Sequence, residues 1–118
     1  MAYDSNNVFA KILRGELPCI KIYEDEHVLA FETIKPLAKV HALVIPKGAY
    51  VSSQDFGEKA SDAEIGAFMR AVSKVAMDLG LVETGYRVIS NSGPHSHQEI
   101  PHYHVHILGG QPMGTMGL

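Results

Sequence analysis

The sequence lacks several features that mark particular classes of protein. It has one cysteine, Cys19, and no tryptophan in 118 residues, which excludes an intramolecular disulfide and a zinc site made of cysteine pairs. Its formal net charge is −3 and it has no stripe of lysine and arginine, so we expect no binding to nucleic acid. No window approaches the ~20 apolar residues of a transmembrane helix, and the first residues show no basic, apolar leader pattern. These absences favour a cytoplasmic protein that does not bind membranes.

Histidine, in contrast, is abundant and clustered. The chain has seven histidines, and the run from His102 to Leu108 reads His-Tyr-His-Val-His-Ile-Leu. Side chains at spacing two lie on one face of a β-strand, so the run predicts three imidazoles in a row. Imidazole is the side chain whose ordinary pKa, ~6.5, lies closest to neutral pH. Three neighbouring imidazoles are hard to bury without partners, and the run therefore predicts a functional site.

Elsewhere the hydrophobic periodicity predicts short strands and two helices. Residues 4–7 offer caps for a short helix that ends before Gly15, and Ser61 with Glu64 forms a capping box for a long helix that ends at Gly80. We expect the long helix to bury one stripe, made of Ile65, Phe68, Met69, Val72, Val75, Ala76 and Leu79. We expect strands at residues 20–24, 28–32, 40–46 and 86–90 and in the histidine run.

Strands that follow one another without a helix between each pair are typical of an α+β fold. We therefore predict one domain over residues 1–118, with a largely antiparallel sheet of about five strands. Its core extends over residues 4–112, and residues 111–118 form an irregular tail. In the strand at 40–46, alternation places His41, Leu43 and Ile45 on one face.

A metal ion is one explanation of the three histidines. Neutral imidazole is a common zinc ligand, and two of the three rings could bind one ion together with His41. All three could hardly do so, because His102 and His106 start roughly 13 Å apart along a strand, whereas tetrahedral zinc donors lie about 3.4 Å apart. The pattern alone leaves zinc as an alternative, but the regular triple favours catalysis without a metal or another cofactor.

Catalysis is the other explanation, and it makes the middle residue special. His104 has a histidine on either side, so one neighbour can orient its ring and the other can assist. A neutral imidazole nitrogen is a competent nucleophile toward phosphorus, provided that the other ring nitrogen is held as a donor, most simply to a backbone carbonyl. His106 and His41 can then stabilise charge at a phosphate. Phosphoryl transfer depends mainly on such positioning and charge neutralisation.

The run from His102 to Leu108 resembles the signature of the histidine triad superfamily, in which histidines alternate with apolar residues. Other segments resemble its branch of histidine triad nucleotide-binding proteins. They are VFAKILRGELP at 8–18, YEDE at 23–26, LAF at 29–31, HALVIPK at 41–47 and the glycine pair at 109–110. The resemblance extends over roughly residues 4–112. It implies a purine nucleotide as substrate and a symmetric homodimer in which two sheets join into one.

The resemblance further implies a purine nucleoside phosphoramidase. In that branch the middle histidine attacks the α-phosphorus of an adenosine or guanosine 5′-phosphoramidate and releases an amine, and water then hydrolyses the nucleotidyl-histidine. Carried over, His104 is the nucleophile, His102 orients its ring, and His106 and His41 assist at the phosphate. The positions that hold phosphate and sugar match Asn91 and the backbone of Gln98 and Glu99. The slot for the base matches residues that could equally be ordinary core: Val8, Phe9, Ile12, Leu17, Phe31 and Ile34.

Three features depart from the family's pattern. Thr33, just before Ile34, stands where the family often has an Asp that binds the ribose hydroxyls, which predicts weaker ribose binding because a hydroxyl binds a diol less strongly than a carboxylate does. Glu99 stands where some members have Ser, and we expect its carboxylate to point away from the phosphate. The tail after Gly110 lacks the tryptophan found in some relatives, so specificity for the amine does not carry over.

Other activities remain open at this point. The nucleotidyl-transferase branch has Gln at the position of His106, so the third histidine favours hydrolysis. Dinucleoside polyphosphate hydrolases keep three histidines but generally lack the Arg-Gly-Glu-Leu-Pro segment found at 14–18, and they are the alternative enzyme. Thr33 motivates an alternative of another class, a nucleotide-sensing interaction module whose hydrolysis is incidental.

Overall fold

One antiparallel sheet of five strands organises the fold, as the sequence predicts. The computed structural model describes residues 2–116. Its elements in chain order are α1 (Val8–Leu13), β1 (Lys21–Glu24), β2 (Val28–Glu32), β3 (Val40–Pro46), α2 (Ser53–Lys59), α3 (Asp62–Asp78), β4 (Arg87–Ile89), a short 3₁₀ turn (Pro94–Ser96) and β5 (Val105–Gly109). The strand order is β1-β2-β3-β5-β4, and every neighbouring pair is antiparallel. The α+β prediction is confirmed, and residues 111–116 of the predicted tail are irregular, whereas 117–118 lie outside the described residues.

The two faces of β3 separate a core layer from the layer that carries the histidines. Ala42 and Val44 lie in the larger apolar cluster, which packs against α3. Leu43 and Ile45 lie in a second cluster that includes Phe9 of α1. Since His41 alternates with the first pair, it lies on the α1 side, as the periodicity predicts. The sheet therefore places the histidine chemistry on the face opposite the long helix.

The long helix begins as its capping box predicts. The Ser61 hydroxyl accepts a hydrogen bond from the Glu64 N–H at 3.2 Å, and a Glu64 carboxylate oxygen accepts from the Ser61 N–H at 3.1 Å. Gly80 follows the helix with a φ of +73°, a left-handed conformation that glycine adopts without steric cost. Both ends of this helix are thus encoded locally.

The predicted apolar stripe of α3 is wrong at some positions. Met69 is 64% exposed and Ile65 is also exposed, whereas Ala71 is buried. The buried residues are Phe68, Ala71, Val72, Val75 and Ala76, a spacing of i, i+3, i+4, i+7 and i+8. That spacing describes the narrow line along which a helix meets a flat sheet, and the small side chain at 71 lets the helix approach.

One helix, α2, was not predicted from the sequence. Its cap is the Ser52 hydroxyl, which accepts from the Asp55 N–H, and the Asp55 carboxylate accepts from the Val51 N–H. The helix buries Phe56, whose ring stacks on Tyr103 with centroids 5.0 Å apart. The serine-to-aspartate spacing is itself a helix-start signal, but the segment is too short for clear periodicity. None of the helices within residues 2–116 is both long and apolar enough to span a membrane.

Candidate active site

The three histidines of the run do not share one strand, which corrects the sequence prediction. Only His106 lies in β5, because the strand begins at Val105. Before it, the Tyr103 N–H donates to the Tyr50 carbonyl at 2.7 Å, and the Ser90 hydroxyl donates to the His104 carbonyl at 3.1 Å. These bonds replace the regular ladder of the sheet at this point. His102 and His104 therefore lie outside the regular strand, and each of the three imidazoles makes different contacts.

His104 is held with one ring nitrogen fixed as a donor. Its Nδ1 lies 2.7 Å from the carbonyl oxygen of His102, in the same extended segment. A carbonyl oxygen only accepts, so Nδ1 carries the proton and Nε2 carries the lone pair. Burial lowers the pKa of His104, while its bond to the His102 carbonyl and the charge of Glu99 act in the opposite direction. The ring is neutral near pH 7 and has a free nucleophilic nitrogen.

His41 and His106 form a hydrogen-bonded pair beside the nucleophile. The Leu37 N–H donates to His41 Nδ1 at 3.0 Å, and His41 Nε2 lies 2.9 Å from His106 Nδ1. Because Nδ1 of His41 accepts, its Nε2 donates to His106, which leaves a proton on His106 Nε2. The rings of His104 and His106 lie with centroids 5.1 Å apart. The ring with the nucleophilic nitrogen and the ring with the donor N–H are therefore neighbours.

The titration of His106 supports the role of a donor in its neutral form. Burial, then the nearby His104 and then His41 lower the pKa of His106 to about 4. Burial alone lowers the pKa of His41. A ring that stays uncharged near pH 7 offers an N–H to a phosphate oxygen without storing a proton.

His102 faces the interior of the protein. It is fully buried, with 0% of its surface exposed. Its Nε2 lies 2.8 Å from the Pro46 carbonyl, and its Nδ1 lies 2.6 Å from the hydroxyl of Tyr3. Tyr3 lies 99 residues away from His102 along the chain and is not among the predicted site residues. No local pattern marks such a contact, and only the packing of the N-terminal segment reveals it.

The loop at residues 91–99, predicted to meet phosphate and sugar, is closed by the side chain of Gln98. Its Oε1 accepts from the Gly93 N–H at 2.9 Å, and its Nε2 donates to the carbonyls of Val51 at 2.6 Å and Ile100 at 3.1 Å. The Gln98 N–H also donates to the Gly93 carbonyl at 3.2 Å, so the side chain and the N–H of Gln98 both hold the loop, and the contact of this residue with phosphate stays a prediction. Asn91 is half-buried at the start of the loop.

The predicted base slot divides into a buried part and an open part. Phe9 and Phe31 are buried with ring centroids 5.7 Å apart, and Ile12 packs against the same cluster. Val8, Leu17 and Ile34 are exposed, and 93% of the Ile34 surface is accessible. The structure therefore brings the two aromatic residues together as core, leaves Ile12 half-buried, and leaves Val8, Leu17 and Ile34 exposed.

Thr33 precedes the exposed Ile34 in the chain and lies close to His41. Its N–H donates to the His41 carbonyl at 3.4 Å, and its hydroxyl accepts from the Lys35 N–H at 3.4 Å. A cleft of about 260 Å³ is lined by Thr33, His41 and Glu32, among others. The larger cleft, of about 360 Å³, contains Ile12 but no other residue of the predicted base slot. The lining of the smaller cleft also includes Val40, Ala42 and Leu79, which belong to the α3 side of the sheet, so this cleft meets the predicted site only at its edge, through Thr33 and His41.

Comparison with known proteins identifies the family. The model of the HIT domain matches residues 14–113, which is most of the chain. The chain belongs to the HIT family.

Named relatives cover this HIT protein almost from end to end. An uncharacterized 13.2 kDa HIT-like protein of Azospirillum brasilense is 54% identical over 114 residues, which are 97% of this chain and 93% of that protein. The purine nucleoside phosphoramidase of Escherichia coli K12 is 38% identical over 109 residues, 92% of this chain and 91% of the relative. The solved HIT family hydrolase from Clostridium thermocellum has a TM-score of 0.85 and 40% identity, and the match covers 98% and 99% of the two chains.

These relatives confirm the predicted family and fold of the HIT protein. They also support hydrolase chemistry in general, because named hydrolases are among them. The relative with 54% identity carries no named activity. The substrate of this HIT protein therefore has to be argued from its own site.

The described part of this HIT protein does not contain a group of side chains suited to bind zinc. Within residues 2–116, no three His, Cys, Asp or Glu side chains are arranged to hold a metal ion. The two ring nitrogens that could most easily share an ion, on His41 and His106, are joined by a hydrogen bond instead.

Proposed function

We propose that this HIT protein hydrolyses purine nucleoside 5′-phosphoramidates to a nucleoside monophosphate and an amine. The observation that carries the proposal is the hydrogen bond from His104 Nδ1 to the His102 carbonyl, which leaves Nε2 as a nucleophile. The donor N–H of His106 beside it supports phosphorus chemistry in particular, since a phosphate oxygen needs donors as charge develops. A relative named purine nucleoside phosphoramidase supports the substrate class.

In the first step the lone pair of His104 Nε2 attacks the α-phosphorus. A bond between nitrogen and phosphorus forms, and the bond from phosphorus to the amine nitrogen breaks with its electron pair on that nitrogen. The nitrogen takes one proton from solvent as it leaves and a second in solution, so the amine is released as an ammonium ion. His106 Nε2–H donates to a phosphate oxygen and stabilises the charge of the transition state. The Nδ1–H of His104 stays bonded to the His102 carbonyl, which stabilises the positive charge that the ring acquires.

In the second step water attacks the nucleotidyl-histidine and returns His104 to its neutral form. That water loses both of its protons to solvent, which replaces the two protons that solvent gave to the amine in the first step. The products are the nucleoside monophosphate dianion and the protonated amine, so atoms and charge balance. His106 does not have to store a proton, in agreement with its pKa of about 4.

The remaining predicted residues bind the nucleotide in this proposal. Asn91, the backbone of Gln98 and the backbone N–H of Glu99 contact phosphate and sugar, and Thr33 contacts the ribose. Of the apolar set, exposed Ile34, Leu17 and Val8 contact the base directly, while three residues shape the floor beneath it: Phe9, Ile12 and Phe31. Glu99 is exposed, and its charge acts on His104, against the effect of burial, by raising the pKa of that ring, so its carboxylate lies close enough to influence the nucleophile.

The test is steady-state hydrolysis of adenosine 5′-phosphoramidate by the parent protein and by the variant His104→Ala. We expect turnover to fall on the order of 10³-fold or more, because the nucleophile is lost. His27→Ala, at the turn between β1 and β2, is the matched histidine control and should retain the parent rate. Parent protein quenched in base should carry a nucleotidyl group on His104. Near-parent turnover by His104→Ala would overturn the assignment.

The same assays separate the alternative functions. A dinucleoside polyphosphate hydrolase would turn over a dinucleoside tetraphosphate faster than the phosphoramidate. A nucleotide-sensing module would bind nucleoside monophosphate tightly in calorimetry with little turnover of either substrate. Thr33 favours this second candidate, because a hydroxyl stands here at the position where the family often has a carboxylate for the ribose.

The proposal includes a homodimer and a cytoplasmic location. β4 lies at the edge of the sheet, and its residue Val88 is 48% exposed. An open edge strand can pair with the same strand of a second copy and extend the sheet. Analytical ultracentrifugation tests the dimer, and cell fractionation tests the location.

A further inference from the structure

The N-terminal segment reaches the buried histidine through one hydroxyl group. The Tyr3 hydroxyl lies 2.6 Å from His102 Nδ1. The two rings meet edge to face, with centroids 5.5 Å apart and an angle of 68° between planes. Phe9 contacts the same imidazole from another side, with centroids 6.2 Å apart. His102 is therefore enclosed by two aromatic rings and one hydroxyl.

The Pro46 carbonyl, which contacts one nitrogen of the His102 ring, determines which partner donates in both hydrogen bonds of that ring. The Pro46 carbonyl can only accept, so His102 Nε2 carries the proton that lies in this 2.8 Å contact. Burial, the largest effect, lowers the pKa of His102, which keeps the ring neutral. In a neutral ring Nδ1 is then an acceptor, and the Tyr3 hydroxyl donates to it. Every polar atom of this buried side chain has a partner.

Tyr3 is brought to this position by a turn that is bonded to the first helix. The Asn7 side chain donates to the Asp4 carbonyl at 2.8 Å and accepts from the Ala10 N–H at 2.8 Å. The Arg14 guanidinium donates to the Ser5 carbonyl at 2.7 Å. The segment that carries Tyr3 is thus fixed to α1 independently of the tyrosine itself, and a change at Tyr3 can be tested without releasing the segment.

The link to the nucleophile runs through the backbone of His102. Its carbonyl accepts from His104 Nδ1 at 2.7 Å, so the orientation of that peptide sets the orientation of the nucleophilic ring. An unpartnered nitrogen on a fully buried side chain is unfavourable. Loss of the Tyr3 hydroxyl would therefore favour movement of the His102 ring and of the peptide that follows it.

We propose that Tyr3 is a positioning residue, whose hydroxyl fixes His102 and, through the His102 carbonyl, the nucleophilic ring of His104. This inference rests on the proposed function for its kinetic consequence, although the arrangement of the rings can be measured without substrate. Tyr3 touches no reacting atom, and the effect is on the geometry of attack rather than on nucleotide binding.

The experiment compares the parent, Tyr3→Phe and the matched control Tyr23→Phe. The variant Tyr23→Phe also loses one hydrogen bond, from the Tyr23 hydroxyl to Asp25 at 2.7 Å, but this bond lies on β1 and does not involve His102. With adenosine 5′-phosphoramidate we expect kcat of Tyr3→Phe to fall about 10-fold, an effect of the size of one unsatisfied buried group, while KM stays within about twofold. Tyr23→Phe should keep both constants. An unchanged kcat in Tyr3→Phe would overturn the proposal.

Nitrogen-15 NMR of the substrate-free proteins supplies a second readout. In the parent and in Tyr23→Phe we expect a slowly exchanging Nδ1–H signal from His104 and a hydrogen-bonded His102 Nδ1. In Tyr3→Phe the His102 nitrogen should shift toward the free value, and the His104 Nδ1–H signal should broaden. If the parent itself does not hydrolyse the substrate, the proposed function fails, and the His104 signal still decides the positioning role: an unchanged signal in Tyr3→Phe would reject it.

Discussion

The backbone N–H of Leu37 donates to His41 Nδ1 at 3.0 Å, and this one bond sets the proton positions of two histidines. It makes His41 Nε2 the donor to His106 Nδ1, 2.9 Å away. The exposed nitrogen of the pair therefore carries a proton before any substrate arrives. The loop between β2 and β3 thus takes part in the site through its backbone.

This arrangement predicts a difference between two substitutions at the same position. Leu37→Pro removes the N–H, so His41 can adopt the other tautomer and His106 loses its fixed donor. We expect kcat/KM for the phosphoramidate to fall about 10-fold, an effect of the size of one lost donor. Leu37→Ala retains the N–H and shortens a side chain that is 80% exposed, so it should stay within about twofold. Equal activity of the two variants would show that the Leu37 N–H does not fix the tautomers of His41 and His106.

The pH dependence of the reaction should reflect the lowered pKa of His104. Attack needs the neutral ring, and burial moves its protonation to lower pH than in a free histidine. The acid limb of kcat/KM should therefore lie below pH ~6.5, the ordinary value for histidine. A pH–rate profile of the free enzyme measures it. A limb at or above the ordinary value would show that the ring titrates as an exposed histidine does.

Stability should also fall in acid, and the sign follows from His106. Its pKa is about 4 in the folded protein and ~6.5 in the unfolded chain. Between these values the unfolded chain binds more protons, so the free energy of unfolding decreases as pH falls from 6.5 to 4. We expect roughly 1–2 kcal/mol from this ring, less than the full shift implies because the ring is partly exposed to water.

Urea unfolding at several pH values tests this dependence. The variant His106→Asn lacks the titrating ring and should lose less stability than the parent over the same pH range. His41, His102 and His104 also have lowered pKa values and remain in that variant, so a residual slope is expected. Identical slopes for parent and variant would contradict a buried neutral His106.

Gln98 should affect both stability and nucleotide binding. Gln98→Ala leaves the Gly93 N–H and the carbonyls of Val51 and Ile100 without their side-chain partner. We expect a loss of about 1–2 kcal/mol in the free energy of unfolding, and a severalfold higher KM because the loop backbone is no longer fixed. Gln54→Ala, on the exposed surface of α2, is the matched control and should change neither quantity. A parental KM in Gln98→Ala would show that the loop keeps its shape without this side chain.

The sequence predicts those features of the fold and the site that depend on residues close together in the chain. The capping box of Ser61 and Glu64 is local, and so is the alternation of His41 and Leu43 on β3. The long-range contacts could not be read this way. The Tyr103 N–H pairs with Tyr50 and takes the histidine run out of the regular strand, and Tyr3 meets His102 across 99 residues. Local periodicity carries no information on such pairings.

Thr33 provides the last test, because the substitution Thr33→Asp restores the residue that the family often has. A carboxylate accepts charge-assisted hydrogen bonds from both ribose hydroxyls, and these are roughly twice as strong as neutral ones. We expect the calorimetric affinity for adenosine monophosphate to rise about three- to tenfold. Thr33→Asn controls for size without charge and should show a smaller gain. With 2′-deoxyadenosine monophosphate, which keeps only the 3′-hydroxyl of the two donors, the gain of Thr33→Asp should be clearly smaller. An equal gain for the deoxynucleotide would place Thr33 away from the ribose, since the added charge would then act without the diol.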